Sequence, residues 1–494
     1  MSMNRRNFVQ SSAALATAPL LPFSMSVADA AGITPSADES GYKALVCVFL
    51  FGGNDSHNML VPYQSAEYNA YQTARDGDAS RNGLALPYGS LLPVSPTNIG
   101  ANTLALHPAM PRMQGLFNAA GSKLAFVANT APMLRPTSLA QYRQAGFELP
   151  PQLFSHSDMQ MHWQTMIPDQ PADTGWGGRM ADVFRVASSG RLPVSIGLGS
   201  GGIFMKGDIA SPYNIIPVRY QNGAINPQST IARTPTAAIY WNWTGSKPQD
   251  VYVANNIATR ANLLEQQFAS TSRASLEVGE FVKSAMYNTD ANGNNTFKNA
   301  VPGTWPTTNP LSAQLHAVAS MIAARSALGT SRQIFFVTLG GFDNHGDQFG
   351  TTGGKTLVDG TSKHFKLLSW VDEALKTFYD STVAMGVSSN VTTMTMSDFG
   401  RTMKSNGAGS DHGWGGHQIV MGGAVNGGQV YGQFPFPTAL STVDVGEGRL
   451  LPTLAADVYS ARMAQWFGAD PTELGKIFPN LNRFDRTPLN TLLA

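Results

Sequence analysis

The feature that most constrains the fold is a set of apolar runs of strand length. Residues 42–51 form one such run and residues 331–339 another, and each stops at a pair of glycines followed shortly by an aspartate. A third run covers residues 123–129. Apolar runs without alternation are typical of strands that are buried on both faces, as in a parallel sheet covered by helices. The sequence therefore predicts an α/β fold with a mostly parallel central sheet and helices on both faces.

The net charge and the cysteine count limit the classes of partner and of covalent link that the chain can have. The formal net charge of the 494 residues is +1, so the sequence gives no sign of a nucleic-acid partner or of an anionic membrane surface. The single cysteine, Cys47, lies in an apolar run, which predicts an inert core residue and rules out an intrachain disulfide.

The first residues are typical of a targeting segment. Arg5 and Arg6 form the paired arginines of a twin-arginine (Tat) signal, and Ala28-Asp29-Ala30 supplies a small-x-small cleavage pattern. The apolar stretch between them is shorter than the roughly 20 residues that a membrane span needs. We therefore expect residues 1–31 to be a signal peptide that engages the Tat export machinery. The chain would be exported folded to the periplasm or secreted, with no transmembrane segment.

The remaining sequence, residues 32–494, is expected to form a single α/β domain. Residues 204–310 begin with a stretch in which Thr, Asn, Pro and Ile are mixed without a clear period. This pattern favours an insertion beside the ends of the strands.

Carboxylates and imidazoles are concentrated in the loops after the predicted strands. Only 9 of the 494 residues are histidines, yet five of them lie in these loops or at one predicted helix start, which argues against chance scatter. Asp, Glu and His side chains are suitable ligands for a divalent metal such as zinc. The candidate ligands are Asp55, Asp343, His345, Asp398, His412 and His417.

One helix start adds a candidate nucleophile. Ser155 and Ser157 precede an apolar helical stretch, and either can cap the helix. A hydroxyl at a helix N-terminus beside a metal can also act as a nucleophile. The sequence leaves both interpretations open. The candidate catalytic residues are Ser155, His156 and Arg401, and Arg179 is a second basic group for an anion.

Several motifs together resemble a known family. The stretches VFLFGGNDSHNMLVPY, SHSDMQ, GWGGR, GGFDNHGDQ, MSDFGRT and DHGWGGHQIVMGGAV follow one another in that order. The chain is identified by them as similar to the Tat-exported bacterial DUF1501 family, within the alkaline-phosphatase-like superfamily of phosphatases and sulfatases. The resemblance implies a three-layer sandwich with a serine nucleophile and metal ligands at strand ends.

The sequence departs from the superfamily pattern at two places. Asp347 stands where a histidine is expected four residues after Asp343, and His345 is two residues after it instead. Phe399 stands where a histidine should follow Asp398, and the Asp411-His412 pair is a candidate replacement.

Two functions follow as expectations. The first is a metal-dependent hydrolase of phosphate or sulfate esters, acting on an anionic ester in a small molecule or a polymer. Zinc is the first choice of metal, with manganese or calcium as alternatives. The second is a catalytically inactive protein of the same fold that binds or assembles an exported partner or polymer.

Overall fold

The structure is a computed structural model. It describes residues 41–100, 103–185, 192–199, 202–215, 301–350 and 355–494, together with scattered residues between 262 and 299. The predicted signal peptide lies outside the described residues, as does most of the predicted insertion at 204–310.

The described strands are numbered in chain order. They are β1 (Lys43–Phe51), β2 (Leu60–Pro62), β3 (Leu92–Val94), β4 (Leu104–Leu106), β5 (Leu124–Ala131), β6 (Ser195–Leu198), β7 (Tyr213–Ile215), β8 (Tyr287–Thr289), β9 (Asn295–Phe297), β10 (Arg332–Gly340), β11 (Val391–Ser397), β12 (Arg401–Ser405), β13 (Ser410–His412), β14 (Gly416–Gly422), β15 (Val430–Tyr431) and β16 (Leu454–Ala455).

The described α-helices are numbered in the same way. They are α1 (Ser56–Met59), α2 (Ser65–Ala74), α3 (Pro111–Asn118), α4 (Leu139–Tyr142), α5 (His156–Thr165), α6 (Trp176–Phe184), α7 (Pro310–Ala323), α8 (Arg325–Leu328), α9 (Lys363–Ala384), α10 (Ala456–Phe467) and α11 (Pro471–Ile477). None of them is long and apolar enough to cross a bilayer.

The centre of the fold is a mixed sheet that has nine strands in the described part of the chain. Its order is β15-β5-β14-β11-β1-β10-β6-β7, and β16 also pairs with β5. Strand β1 lies between β10 and β11 and runs parallel to both. Only β14 runs antiparallel to its neighbours, β11 and β5. The prediction of an α/β fold with a mostly parallel central sheet is therefore confirmed.

The central strands are buried on both faces. Alternate residues of β1, such as Val46 and Val48, belong to one apolar cluster, which also contains Leu315 of α7 and Val371 of α9. The other residues of β1, including Cys47, belong to a second cluster with α6 and α10. A strand covered on both faces needs apolar residues at successive positions, which explains the unbroken run in the sequence. Burial raises the pKa of the Cys47 thiol, as expected for an inert core residue.

One carboxylate in this core lacks a partner. Asp457, in the first turn of α10, is fully buried, and neither carboxylate oxygen bonds to a described side chain or backbone group of another residue. Burial raises the pKa of Asp457 to about 7. The carboxyl group of Asp457 therefore stays protonated in the folded protein at pH values where it is already ionised in the unfolded chain.

The buried proton of Asp457 should make the stability of the protein depend on pH. Because the folded-state pKa is the higher one, stability should fall as the pH rises from about 4 through about 7, by roughly 4 kcal/mol in all. Asp457→Asn should remove that loss and be more stable than wild type at pH 8 but not at pH 4. Urea unfolding at both pH values measures this, with the exposed Asp380→Asn as control. Equal stabilities of wild type and Asp457→Asn at pH 8 would contradict the prediction.

Candidate metal centre

The sheet topology brings three polar loops to one edge. In the register of the parallel strands, Phe51 of β1 pairs with Gly340 of β10, and Leu50 pairs with Ser397 of β11. The loops that follow these residues therefore start side by side, at the edge where open α/β sheets bind ligands. Helix α5 and the hairpin of β12 and β13 complete the surroundings of this edge.

Two glycines allow the loops to approach closely. Gly52 has φ +113°, and a Cβ at this position would lie 2.3 Å from the backbone nitrogen of Asp343. Gly53 has φ +80°, and a Cβ there would lie 2.5 Å from the ring of Phe399. Both positions need a backbone that side chains rarely adopt and leave no room for a Cβ. The Gly-Gly pair that ends β1 is therefore required for the loops to meet.

Four side chains converge between these loops, the hairpin and α5. They are His156, Asp343, His345 and His412, and one ligand atom from each lies within 4.8 Å of the others. The Oδ2 of Asp343 lies 3.3 Å from His156 Nε2. Its Oδ1 lies 3.2 Å from His345 Nε2 and 3.7 Å from His412 Nε2. Ligands in a tetrahedral zinc site are about 3.4 Å apart, so this cluster can hold a metal ion.

Each imidazole is oriented through its other nitrogen. The Nδ1 of His156 lies 2.7 Å from Asp398 Oδ2, and the Nδ1 of His345 lies 2.8 Å from Asp411 Oδ1. The Nδ1 of His412 lies 2.5 Å from the carbonyl oxygen of Phe154. Since all three partners are acceptors, each Nδ1 carries a hydrogen, and in the neutral ring each Nε2 presents a lone pair to the cluster. Metal-binding histidines are commonly oriented in this way.

A cation would be favourable where these lone pairs meet. The Nε2 atoms of His345 and His412 are only 2.6 Å apart, and the tautomers just assigned would place two lone pairs face to face. The buried Nε2 of His156 accepts no hydrogen bond from any described residue. A divalent cation would satisfy all three nitrogens and the Asp343 carboxylate together. The residues present therefore fit a metal ion, for which the His345 and His412 nitrogens would move apart from 2.6 Å towards the spacing of about 3.4 Å between zinc ligands.

Two of these groups are already in the form that binds a metal. Burial lowers the pKa of His412 to about 4, so its imidazole is neutral at pH 7. Partial burial alone would raise the pKa of Asp343, but the hydrogen bond and charge of Arg401 outweigh this and lower the pKa. A neutral imidazole and an ionised carboxylate are what coordination requires.

Arg401, a candidate catalytic residue, is fully buried behind Asp343. Its Nη2 donates to Asp343 Oδ1 at 2.7 Å. Its other bonds go to backbone carbonyls, of Gly52, Gly53, Phe342 and Ser410. With its donors engaged and no exposed surface, Arg401 positions Asp343 and cannot reach a substrate.

Asp398, predicted as a ligand, lies one layer behind the cluster. Its Oδ1 accepts a bond from the backbone of Gly52 at 3.1 Å. Its Oδ2 accepts from His156 and, at 2.7 Å, from Gln160 Nε2. The carboxylate is thus the partner that orients an imidazole. Phe399, which stands in place of the superfamily histidine, packs its ring 4.5 Å from that of His412.

The other two predicted ligands lie outside the cluster. Asp55 is buried in an ion pair with Arg75 and accepts a 2.6 Å hydrogen bond from Gln348. The Nδ1 of His417 accepts a hydrogen bond from the backbone of Asn129 at 3.1 Å, so the neutral ring carries its hydrogen on Nε2. Burial keeps the pKa of His417 well below its ordinary value. Neither residue belongs to the four-residue cluster.

Ser155 occupies the N-cap position of α5, but its side chain makes no capping bond. The hydroxyl instead donates to Asp158 Oδ2 at 2.5 Å. The neighbouring Ser157 is more exposed and contacts the same carboxylate at 3.2 Å. Helix capping therefore does not explain the presence of Ser155. The Ser155 hydroxyl proton already has an acceptor in Asp158.

Three contributors to the site were not predicted from the sequence. Gln160 lies four residues after His156, so helical spacing alone places both on one face of α5 and could have revealed it. The carbonyl of Phe154 could not have been found, because it depends on a left-handed backbone, φ +74°, at a bulky residue. Asp411 was noted in the sequence, but its role in orienting His345 was not.

Comparison with known proteins agrees with the motifs. The family model described as a protein of unknown function (DUF1501) matches residues 42–461. The chain belongs to this family. A search of curated proteins found no significant relative. The matched region contains every residue of the four-residue cluster.

The cluster predicts stoichiometric metal binding. Wild type should bind about one zinc ion per chain, and His345→Ala should lose most of it because one of four ligands is gone. Asp347→Asn is the matched control, since this aspartate of the same loop pairs with Lys363 at 2.7 Å. Elemental mass spectrometry of the purified chains measures the metal. Equal zinc in His345→Ala and wild type would exclude this cluster as the site.

The orienting carboxylate gives a separate prediction. Asp398→Asn keeps the shape of the side chain but removes the charge that holds the His156 ring, so zinc affinity should fall about 10- to 100-fold. Competition with a chromogenic chelator measures the affinity, again with Asp347→Asn as control. Unchanged affinity in Asp398→Asn would show that His156 needs no carboxylate partner.

Proposed function

We propose that this protein is a metal-dependent hydrolase of phosphate or sulfate esters within the alkaline-phosphatase-like superfamily, exported through the Tat pathway. The observation that carries the proposal is the convergence of three oriented imidazoles on the Asp343 carboxylate, at a position open to solvent. The Asp343 side chain is 48% exposed, so a substrate can approach from that side.

The donor set favours zinc. Three imidazole nitrogens and one carboxylate oxygen are ligands that suit zinc, whereas calcium prefers oxygen ligands only and a larger number of them. Manganese remains the next choice, since it accepts mixed nitrogen and oxygen donors. A bound divalent ion would supply Lewis-acid polarisation of an ester oxygen and stabilise the charge that develops on it.

Ser155 is the nucleophile in this proposal. Its Oγ forms a bond to the phosphorus or sulfur atom as the bond from that atom to the alcohol oxygen breaks. The serine proton passes to Asp158, which can return it to the departing alcohol. Water then hydrolyses the covalent serine ester and releases phosphate or sulfate. The hydrogen bond of 2.5 Å between Ser155 and Asp158 is the contact that supports these roles.

One observation favours the second candidate, a binding or assembly factor. Four protein ligands fill a tetrahedral zinc site, and filled sites are typical of structural zinc, whereas catalytic sites usually have three protein ligands and an open position. Hydrolysis in this protein would need the coordination to expand to five or one ligand to be displaced. The partly exposed Asp343 is the ligand at which this could occur.

A hydrolysis screen tests the choice. Zinc-loaded protein is assayed with p-nitrophenyl phosphate and p-nitrophenyl sulfate. Ser155→Ala should lower kcat by about 1,000-fold or more because the nucleophile is removed, whereas Ser157→Ala should stay near wild type. Wild-type kcat in Ser155→Ala would exclude this nucleophile. Stoichiometric zinc without hydrolysis of either ester would favour the binding protein.

A further inference from the structure

Recognition of an anionic ester calls for a cation with free donors beside the metal centre. The two arginines suggested by the sequence do not qualify. Arg401 is buried behind Asp343, and each of its three side-chain nitrogens already donates to the protein. Arg179 donates from Nε and Nη2 to the carbonyl of Ile477 and from Nη1 to the carbonyl of Thr174. Both guanidinium groups are buried and committed to backbone carbonyls.

Arg449 is a third arginine, and it borders the centre. Its Nε donates to the backbone carbonyl of the ligand His412 at 3.1 Å. Its guanidinium carbon lies 5.4 Å from the centre of the Phe154 ring, the residue just before Ser155. The side chain is only partly buried. Arg449 thus connects the segment that carries the proposed nucleophile to a candidate ligand of the centre, with its side chain partly exposed.

The outer donors of Arg449 are available. Nη1 makes one long bond of 3.4 Å, to the carbonyl of Gly446, and Nη2 donates to no residue in the described part of the chain. A guanidinium with one edge fixed by protein and the other edge open can bind two oxygens of a phosphate or sulfate group.

The backbone on both sides of Arg449 is fixed. The carbonyl of Gly448 accepts from Met403 N in β12 at 3.0 Å, and the carbonyl of Leu450 accepts from Gly415 N at 2.8 Å. Gly448 has φ +72°, and a Cβ there would lie 2.5 Å from Met403 Cβ. The turn is thus fixed to the hairpin that carries His412, so Arg449 is preorganised relative to the metal centre.

We propose that Arg449 recognises the oxyanion group of the substrate and so selects phosphate or sulfate esters over neutral esters. The expected effect on catalysis rests on the proposed hydrolase function. The binding of an oxyanion beside the centre can nevertheless be measured without turnover.

The test compares Arg449→Met with wild type in the zinc-loaded full chain. Methionine keeps the apolar stem over Phe154 but removes the guanidinium. Calorimetric titration with inorganic phosphate should show binding weakened about 10- to 100-fold, as expected for loss of a charge-assisted bidentate contact. The kcat/KM for p-nitrophenyl phosphate should fall by a similar factor, while that for p-nitrophenyl acetate should not change.

Lys404→Met is the matched control. Lys404 is an exposed cation that pairs with Glu447, in the same turn as Arg449, at 3.3 Å. Phosphate affinity should stay at the wild-type value in this variant. An equal loss of affinity in Lys404→Met and Arg449→Met would show a general effect of surface charge and would overturn the inference.

The remaining outcomes separate the two proposals. Unchanged phosphate binding in Arg449→Met, or no phosphate binding by wild type, overturns the role of Arg449 whatever the activity. Loss of zinc from Arg449→Met also overturns it, because Arg449 would then act by holding His412 in place. Weaker phosphate binding with normal zinc supports the role of Arg449, even if wild type hydrolyses no ester and the hydrolase proposal fails.

Discussion

The geometry of the candidate metal centre depends on one buried cation, Arg401. Arg401 spans the loops after β1 and β10 and the β12–β13 hairpin, and it bonds to backbone carbonyls in all three. A buried guanidinium is tolerated only when its donors are satisfied, and carbonyls that lose such a donor are left with a desolvation cost of about 1–3 kcal/mol each. The same side chain keeps Asp343 ionised and in place. One residue therefore couples the closure of the fold at this edge to the charge of a candidate metal ligand.

A network of buried polar contacts links the β12–β13 hairpin to the loop after β10. Gln348 donates to Asp55 at 2.6 Å and accepts a hydrogen bond of 2.8 Å from Ser410 Oγ. Asp55 in turn forms the buried ion pair with Arg75. Burial would raise the pKa of Asp55, but Arg75 and neighbouring groups lower it to about 2. Asp55, which the sequence suggested as a ligand, thus fixes the loop that carries Asp343 and His345.

Much of the fold could be predicted from the sequence, because an unbroken apolar run of strand length is typical of a strand buried on both faces. Asp343, His345 and His412 could also be placed, since they follow strand ends directly or lie in an adjacent glycine-rich loop. The roles of Asp55 and His417 could not, because they depend on Arg75 and on the backbone of Asn129, which only the tertiary fold brings near. Local sequence shows which groups are available for coordination but not which of them already bond to another partner.

The ligands of the centre come from segments that are far apart in the chain. His156 begins a helix, Asp343 and His345 follow a strand, and His412 ends a hairpin. An unfolded chain offers no such site, so the free energy of binding an ion here would also be free energy of folding. Cys47 is the single cysteine, so the protein cannot form a disulfide within the chain. A disulfide would constrain the unfolded state and so stabilise the fold at any metal concentration. A coordinated ion would instead stabilise only the folded state, so the stability of the chain would rise and fall with the free metal concentration around it.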